Sequence, residues 1–270
     1  MEISLNRAAE LIKEKGILGA TNHIYKVIFN RFKETSSKIL LYIFKRYFIK
    51  KLKRFKSSNI SDVVEYAEKF CFGSIKPSQI KTELIELLKK YVEINPKYIL
   101  EIGTGNKGGT LFCLCKLAPD SATIISIDLP GGPFGGGYPK WKTSIYKAFA
   151  KEGQSLHLLR MDSHKEETVE EIKKILNGNS LDFIFIDGDH SYDGVKKDYE
   201  MYRNLVKIGG IIAFHDIVQY GDPNLVGGVP RFWNELKEYI GKNIYSEIIH
   251  NASQEGYGIG IIKKQREDEN

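Results

Sequence analysis

At 270 residues, 42% hydrophobic and 27% charged, the chain has the make-up of a folded protein with one large α/β domain and an appendage, which excludes wholesale disorder. The net charge of +6 is unevenly spread, because residues 1–60 hold 14 Lys and Arg against four Glu, a net +10, and leave the rest at −4. A nucleic-acid footprint over the whole protein is thereby excluded, since its larger part is mildly acidic.

Residues 1–60 read as a basic helical extension and residues 61–270 as the main domain. Met1–Ala20 lacks an apolar run preceded by basic residues, and the charge-free run Ile39–Phe44 is far shorter than the roughly 20 residues that span a bilayer, so a cytoplasmic protein is expected. Cys71, Cys113 and Cys115 have no paired CxxC spacing and read as reduced core thiols. In "KILLYIFKRYFIKKLKRFK", Leu41, Phe44, Phe48, Leu52 and Phe55 recur every three or four residues on one helical stripe, with Lys and Arg filling the remainder. Two readings stand at this point. Residues 38–56 either rest on an anionic membrane surface or an acidic partner, or pack their stripe on the main domain or a second subunit of a homo-oligomer.

"SSNISD" (Ser57–Asp62) reads as a linker and helix cap, and an amphipathic helix then runs up to Pro96. A strand–helix rhythm follows, the mark of a parallel sheet covered on both faces. Strands are expected at Tyr98–Ile102, Thr123–Asp128, Ser155–Met161, Phe183–Asp187 and Gly210–His215. Helices are expected at Gly109–Leu117, Trp141–Lys151, Lys165–Leu176 and Asp193–Leu205. "YSEIIHN" and "GYGIGIIKK" read as a hairpin closing the sheet.

"LEIGTGNKGG" spaces Gly103, Gly105 and Gly108 as G-x-G-x-x-G between a strand and a helix. Such a loop serves NAD, flavin or S-adenosylmethionine, or merely turns. Glu101 precedes it, Asp128 ends the second strand, where it can accept both ribose hydroxyls, and Asp162 ends the third, within reach of an adenine amino group. Three acids at successive strand ends beside a glycine loop point to one adenosine-containing ligand. In "LDFIFIDGDHSYDGV", a buried strand delivers Asp187, Asp189 and His190, and Asp216 ends the neighbouring strand. The two strand-end carboxylates, Asp187 and Asp216, can converge on one cation, and hard oxygen donors favour Mg2+.

"LEIGTGNKGG", "SIDLP", "RMDS", "FIDGDHSYDGV" and "GGIIAFHDI", in this order, resemble a class I S-adenosylmethionine-dependent methyltransferase. More narrowly they resemble the metal-dependent O-methyltransferases that include macrocin O-methyltransferase and the cephalosporin hydroxylase-like proteins. The resemblance spans roughly Ile75 to Lys264 and implies a doubly wound, Rossmann-like, mostly parallel seven-stranded sheet with an antiparallel C-terminal hairpin. Expected cofactor contacts are Glu101, Gly103, Thr104, Gly105, Gly108, Asp128, Asp162, Ser163 and Asp187. It also implies Asp187 and Asp216 as metal ligands and Asp189 as the general base. His215 departs from the pattern, standing where relatives carry an acid, as a third ligand, a second base or a residue turned elsewhere. His190 either bonds its own turn or serves as base or substrate contact, and Asp193 reads as a helix cap.

Two loops frame the acceptor side. Leu129–Trp141, rich in Gly and Pro, reads as a substrate cover walled by Tyr138 and Trp141. The stretch after Asp216 leads to Arg231, placed to meet an acidic or phosphorylated acceptor. The leading expectation is methyl transfer to a hydroxyl of a sugar, a polyol-like molecule or a glycoconjugate. A D-x-D glycosyltransferase and a non-catalytic nucleoside-binding protein, tethered by its basic helix, are the alternatives.

Overall fold

A computed structural model describes residues 35–131, 137–220, 227–241 and 244–265. The extension before residue 35, and residues 132–136 and 221–226 within the two expected acceptor loops, lie outside the described residues. One sheet holds seven strands: β1 (Tyr98–Ile102), β2 (Thr123–Ile127), β3 (Ser155–Leu159), β4 (Leu181–Ile186), β5 (Val206–His215), β6 (Tyr245–Ile248) and β7 (Ile259–Lys263). Their order is β3-β2-β1-β4-β5-β7-β6.

Strands β1 to β5 pair in parallel, while β7 pairs antiparallel with both β5 and β6. The terminal hairpin therefore inserts its second strand against β5 and leaves β6 at the edge. Gly210, read as the start of a strand, instead lies within β5, where the register against β4 shifts between Leu181 and Phe183.

The reason β4 sits near the middle is written in "LDFIFI". All six residues are buried, as a parallel strand covered on both faces requires. Phe183 and Phe185 join one core with α2 (Ile60–Lys69), α3 (Lys81–Glu93) and α4 (Gly109–Leu117). Ile184 and Ile186 alternate into the opposite core with α5 (Glu166–Leu176), α6 (Tyr192–Tyr202) and α7 (Val229–Ile240). Each such side chain contributes roughly 1.5–3 kcal/mol on burial. Cys113 and Cys115 are free thiols buried in α4.

Before the main domain, residues 35–43 are helical and lead into α1 (Lys45–Arg54). Leu41 and Leu52 are buried in the first core, with Phe48 and Phe55 packed beside them. Phe55 stacks on Tyr66 at 4.0 Å between ring centroids, and Phe48 meets Phe70 edge-on at 5.4 Å. Phe44, expected on the same stripe, is exposed, since the backbone departs from helical angles there (φ −97°, ψ 27°).

The helix expected over Trp141–Lys151 is broken into the turns Lys140–Lys142, Thr143–Tyr146 and Lys147–Phe149. Buried Tyr138, Tyr146 and Phe149 pack ring to ring here, so tertiary contacts rather than helical periodicity set the path. Among the described residues, no helix is long and apolar enough to cross a membrane.

Candidate active site

The strand order reverses between β1 and β4, and the crevice at the carboxyl ends of such strands is where doubly wound sheets bind ligands. A cleft of about 740 Å³ opens there, in the size range of small-molecule sites. Gly103 makes the junction. Its N–H donates to the Ile127 carbonyl (2.9 Å), while the Asp187 N–H donates to the Ile102 carbonyl (2.8 Å). At φ +96°, Gly103 lies so close to the loop after β4 that a Cβ would come within 2.5 Å of the Asp187 carbonyl carbon. The glycine loop and the acidic cluster are thus pressed together.

On the glycine-loop side, the Gly105 N–H donates to Asp128 Oδ2 (2.6 Å), and Thr104 Oγ1 lies 2.5 Å from Ser126 Oγ. Burial pushes the Asp128 carboxyl up, against the backbone amides that hold its charge. Asp162 and Ser163 line the cleft after β3, with Asp162 Oδ1 accepting from the His164 N–H (2.9 Å). Glu101 does not reach the cleft wall. It is fully buried beneath the loop, accepts from Ser126 Oγ (2.6 Å), and its Oε1 has no hydrogen-bond partner among the described residues. Burial, reinforced by Asp187 and Asp128, pushes its carboxyl up to about 8 despite the Ser126 bond.

On the other side, Asp187, His190 and Asp216 bring one ligand atom each within 4.8 Å of one another. His190 Nε2 lies 3.5 Å from Asp187 Oδ1, and its Nδ1 lies 3.3 Å from Asp216 Oδ2. His215 lines the same cleft but is not one of these three. Its ring is buried, its Nδ1 lies 3.0 Å from Asp187 Oδ1 and 3.3 Å from Asp216 Oδ1, and its Nε2 has no partner among the described residues. It lines the cleft beside both aspartates, and His190, from the turn after β4, is the imidazole that completes the group of three. Burial opposes charge on His215, but the two carboxylates raise it to about 10. Burial likewise opposes charge on Asp187, yet the neighbouring imidazoles hold its carboxyl well below the usual range. Asp216 adopts a left-handed backbone (φ +60°), a conformation that Asp tolerates better than most residues.

Asp189 lines the same cleft with its Oδ1 accepting the Ser191 N–H (2.8 Å). The α6 cap is Ser191, whose Oγ accepts the Gly194 N–H, and Asp193 sits within the first turn instead of capping it. Tyr138, expected as a substrate wall, is buried against Tyr146, and Trp141 meets Tyr42 edge-on at 5.3 Å. Arg231 is engaged by Glu235 (3.0 Å) and lies over the Tyr192 ring. Gln79 carried no signal in the sequence. Its Nε2 donates to Asp187 Oδ2 (2.8 Å) and its Oε1 accepts from Thr110 Oγ1 (2.8 Å), a link across more than a hundred residues.

The donor set of two carboxylates and an imidazole fits a divalent cation. Gly105 faces open space where a Cβ would stand, room for a nucleoside ligand to approach the backbone. Residues 100–217 match the family model of a methyltransferase domain. This segment is similar to a methyltransferase domain. The match to the methyltransferase domain takes in the glycine loop, Asp128, Asp162, Asp187 and Asp216, and leaves α1 to α3, α7 and the terminal hairpin outside.

Caffeoyl-CoA O-methyltransferase 1 of Zea mays is 23% identical to this chain over 215 residues, covering 77% of the chain and 78% of that protein. An uncharacterised protein of Sinorhizobium fredii is 28% identical over 148 residues, but the chain spans 53% of itself and only 15% of that relative's length. An O-methyltransferase of Bacillus cereus, solved in complex with SAH, aligns over 87% of this chain and 99% of its own at 16% identity and a TM-score of 0.48.

Proposed function

We propose that the protein is an S-adenosylmethionine-dependent O-methyltransferase that uses a divalent cation, Mg2+, to methylate a hydroxyl of a sugar or polyol-like molecule. The observation that carries this reading is the Asp187, His190 and Asp216 cluster, set against the glycine loop in one cleft. The maize relative, named for transfer to oxygen, supports the reaction class.

A hydroxyl is a poor nucleophile until its proton leaves, and methyl transfer from a sulfonium is an in-line displacement that needs the oxygen held close. A cation held by Asp187, Asp216 and His190 would supply acidity and position to that hydroxyl. Gln79 fixes the Asp187 carboxylate by donating to Oδ2, and His215 fixes both aspartates from below. Asp189 takes the proton, its carboxylate lining the cleft and oriented by the Ser191 N–H. Asp128 and Asp162 hold the nucleoside.

Thermal shift with S-adenosylhomocysteine, with and without Mg2+, tests the cofactor, and methyl transfer to a panel of sugars and polyols tests the acceptor. Stabilisation by a sugar nucleotide alone would sink the reading. Asp189→Asn should keep the S-adenosylhomocysteine shift and lower turnover by roughly 100-fold or more. Unchanged turnover would remove Asp189 from the proton transfer.

A further inference from the structure

We propose that the helical segment 35–54 docks the protein on an anionic lipid surface. The inner stripe of this helix is already spent on the core through Leu41 and Leu52, so its remaining faces are the ones open to a partner. Those faces carry Ile39, Tyr42, Ile43, Phe44 and Tyr47, each more than half exposed (53%, 61%, 64%, 52% and 62%). Isolated exposed apolar side chains are ordinary, but a run of five on consecutive helical turns is a contiguous patch of the kind that marks an interaction surface.

Charge complementarity chooses the occupant. Residues 35–56 contain eight Lys and Arg and no Asp or Glu, with Arg46, Lys50, Lys53 and Arg54 exposed one or two turns beyond the apolar patch. A second copy docking symmetrically through this face would set cations against cations. A bilayer with anionic headgroups accepts both halves, the aromatic and aliphatic side chains entering the interface while long basic side chains reach the phosphates. One signal gives marginal attachment, and this helix supplies two, apolar burial and a basic cluster.

The placement has a consequence for access. Lys38 and Leu41 of the same segment line a second cleft of about 440 Å³, which shares Lys76, Asn106 and Lys107 with the cofactor cleft. Tyr42 touches Trp141 at the end of the loop after β2. The docking helix thus borders a cleft that adjoins the cofactor cleft.

Co-sedimentation of the full chain with vesicles of phosphatidylcholine, alone or mixed with phosphatidylglycerol, tests the proposal without requiring methyl transfer. Retention is expected on the anionic vesicles only, falling as salt shortens the screening length from about 10 Å at 0.1 M to about 3 Å at 1 M. Arg46→Gln with Lys50→Gln should weaken partitioning by about 30-fold, from roughly a factor of five per basic residue. Ile43→Asp should weaken it further, and both variants, altering exposed side chains, should melt with the parent protein. Equal retention on neutral and anionic vesicles, retention unaffected by either change, or no retention at low salt would overturn the proposal. So would a dimer in light scattering that Ile43→Asp dissociates, which would give this face to a second copy.

Discussion

Replacing Gly103 by Ala probes the contact that joins the two halves of the site. The added methyl would meet the Asp187 carbonyl carbon at 2.5 Å and the Gly188 nitrogen at 2.9 Å, both backbone atoms that no rotamer change can move aside. Ala at φ +96° also carries the left-handed penalty of about 1–2 kcal/mol, and forced overpacking adds about 1–3 kcal/mol. The combined loss, about 2–5 kcal/mol, is a large share of a typical domain's stability. At roughly 2–4 °C per kcal/mol for a chain of this size, the melting midpoint should fall by about 4–20 °C. Gly105→Ala is the matched control. It meets the same conformational penalty at φ +65°, but its Cβ would stand in open space within the cleft, with nothing within 4 Å. Its midpoint should drop by no more than about 2–8 °C, while the stabilisation by S-adenosylhomocysteine should be lost. Differential scanning fluorimetry with and without S-adenosylhomocysteine reads both effects. A Gly103→Ala protein that melts with the parent would refute the close approach of the loops after β1 and β4.

Asp187→Asn removes the carboxylate between the His215 and His190 imidazoles and should abolish Mn2+ binding in titration calorimetry; undiminished affinity would exclude this residue as a ligand. It should also destabilise the fold, because the buried His215 then keeps only Asp216 as a carboxylate partner. Glu101 gives the pH prediction. Its carboxyl is raised by burial to about 8 in the folded protein from 4.5, so the folded state binds the extra proton and stability falls as pH rises between those values. Glu101→Gln should therefore melt increasingly above the parent from pH 5 to pH 8, by up to about 5 kcal/mol, and a constant difference would refute the assignment. Leu52→Ala should cost about 2–5 kcal/mol in urea unfolding, because the side chain is fully buried against the main domain, and a loss below about 1 kcal/mol would mean that α1 does not share the core.

Local patterns carried much of the fold. The strand β1 and the helix α4 fall where periodicity and glycine spacing put them, and the unbroken apolar run of β4 announced a strand covered on both faces. Strand-end acids were legible for the same reason, since an isolated carboxylate after a buried run stands out against its surroundings. Long-range pairing had no such trace. Gln79 meets Asp187 only because the segment before α3 crosses the mouth of the sheet, and β7 enters between β5 and β6 by pairing that adjacent residues do not encode. Phe44 shows the limit of periodicity, turned outward by one distorted backbone position.

The residue types needed for nucleoside and cation chemistry, and their order along the chain, were determined by the sequence alone. How the two imidazoles are placed in the cleft was decided by the tertiary structure. His190 leaves β4 on a turn that swings it, partly exposed, between Asp187 and Asp216, whereas His215, still within β5, is buried where it meets the same two carboxylates. Access to the cleft likewise separates Glu101 from Asp128 and Asp162, three acids alike in sequence context. Glu101 ends one residue short of its strand's end and stays under the sheet's edge, while the other two clear it and line the cleft.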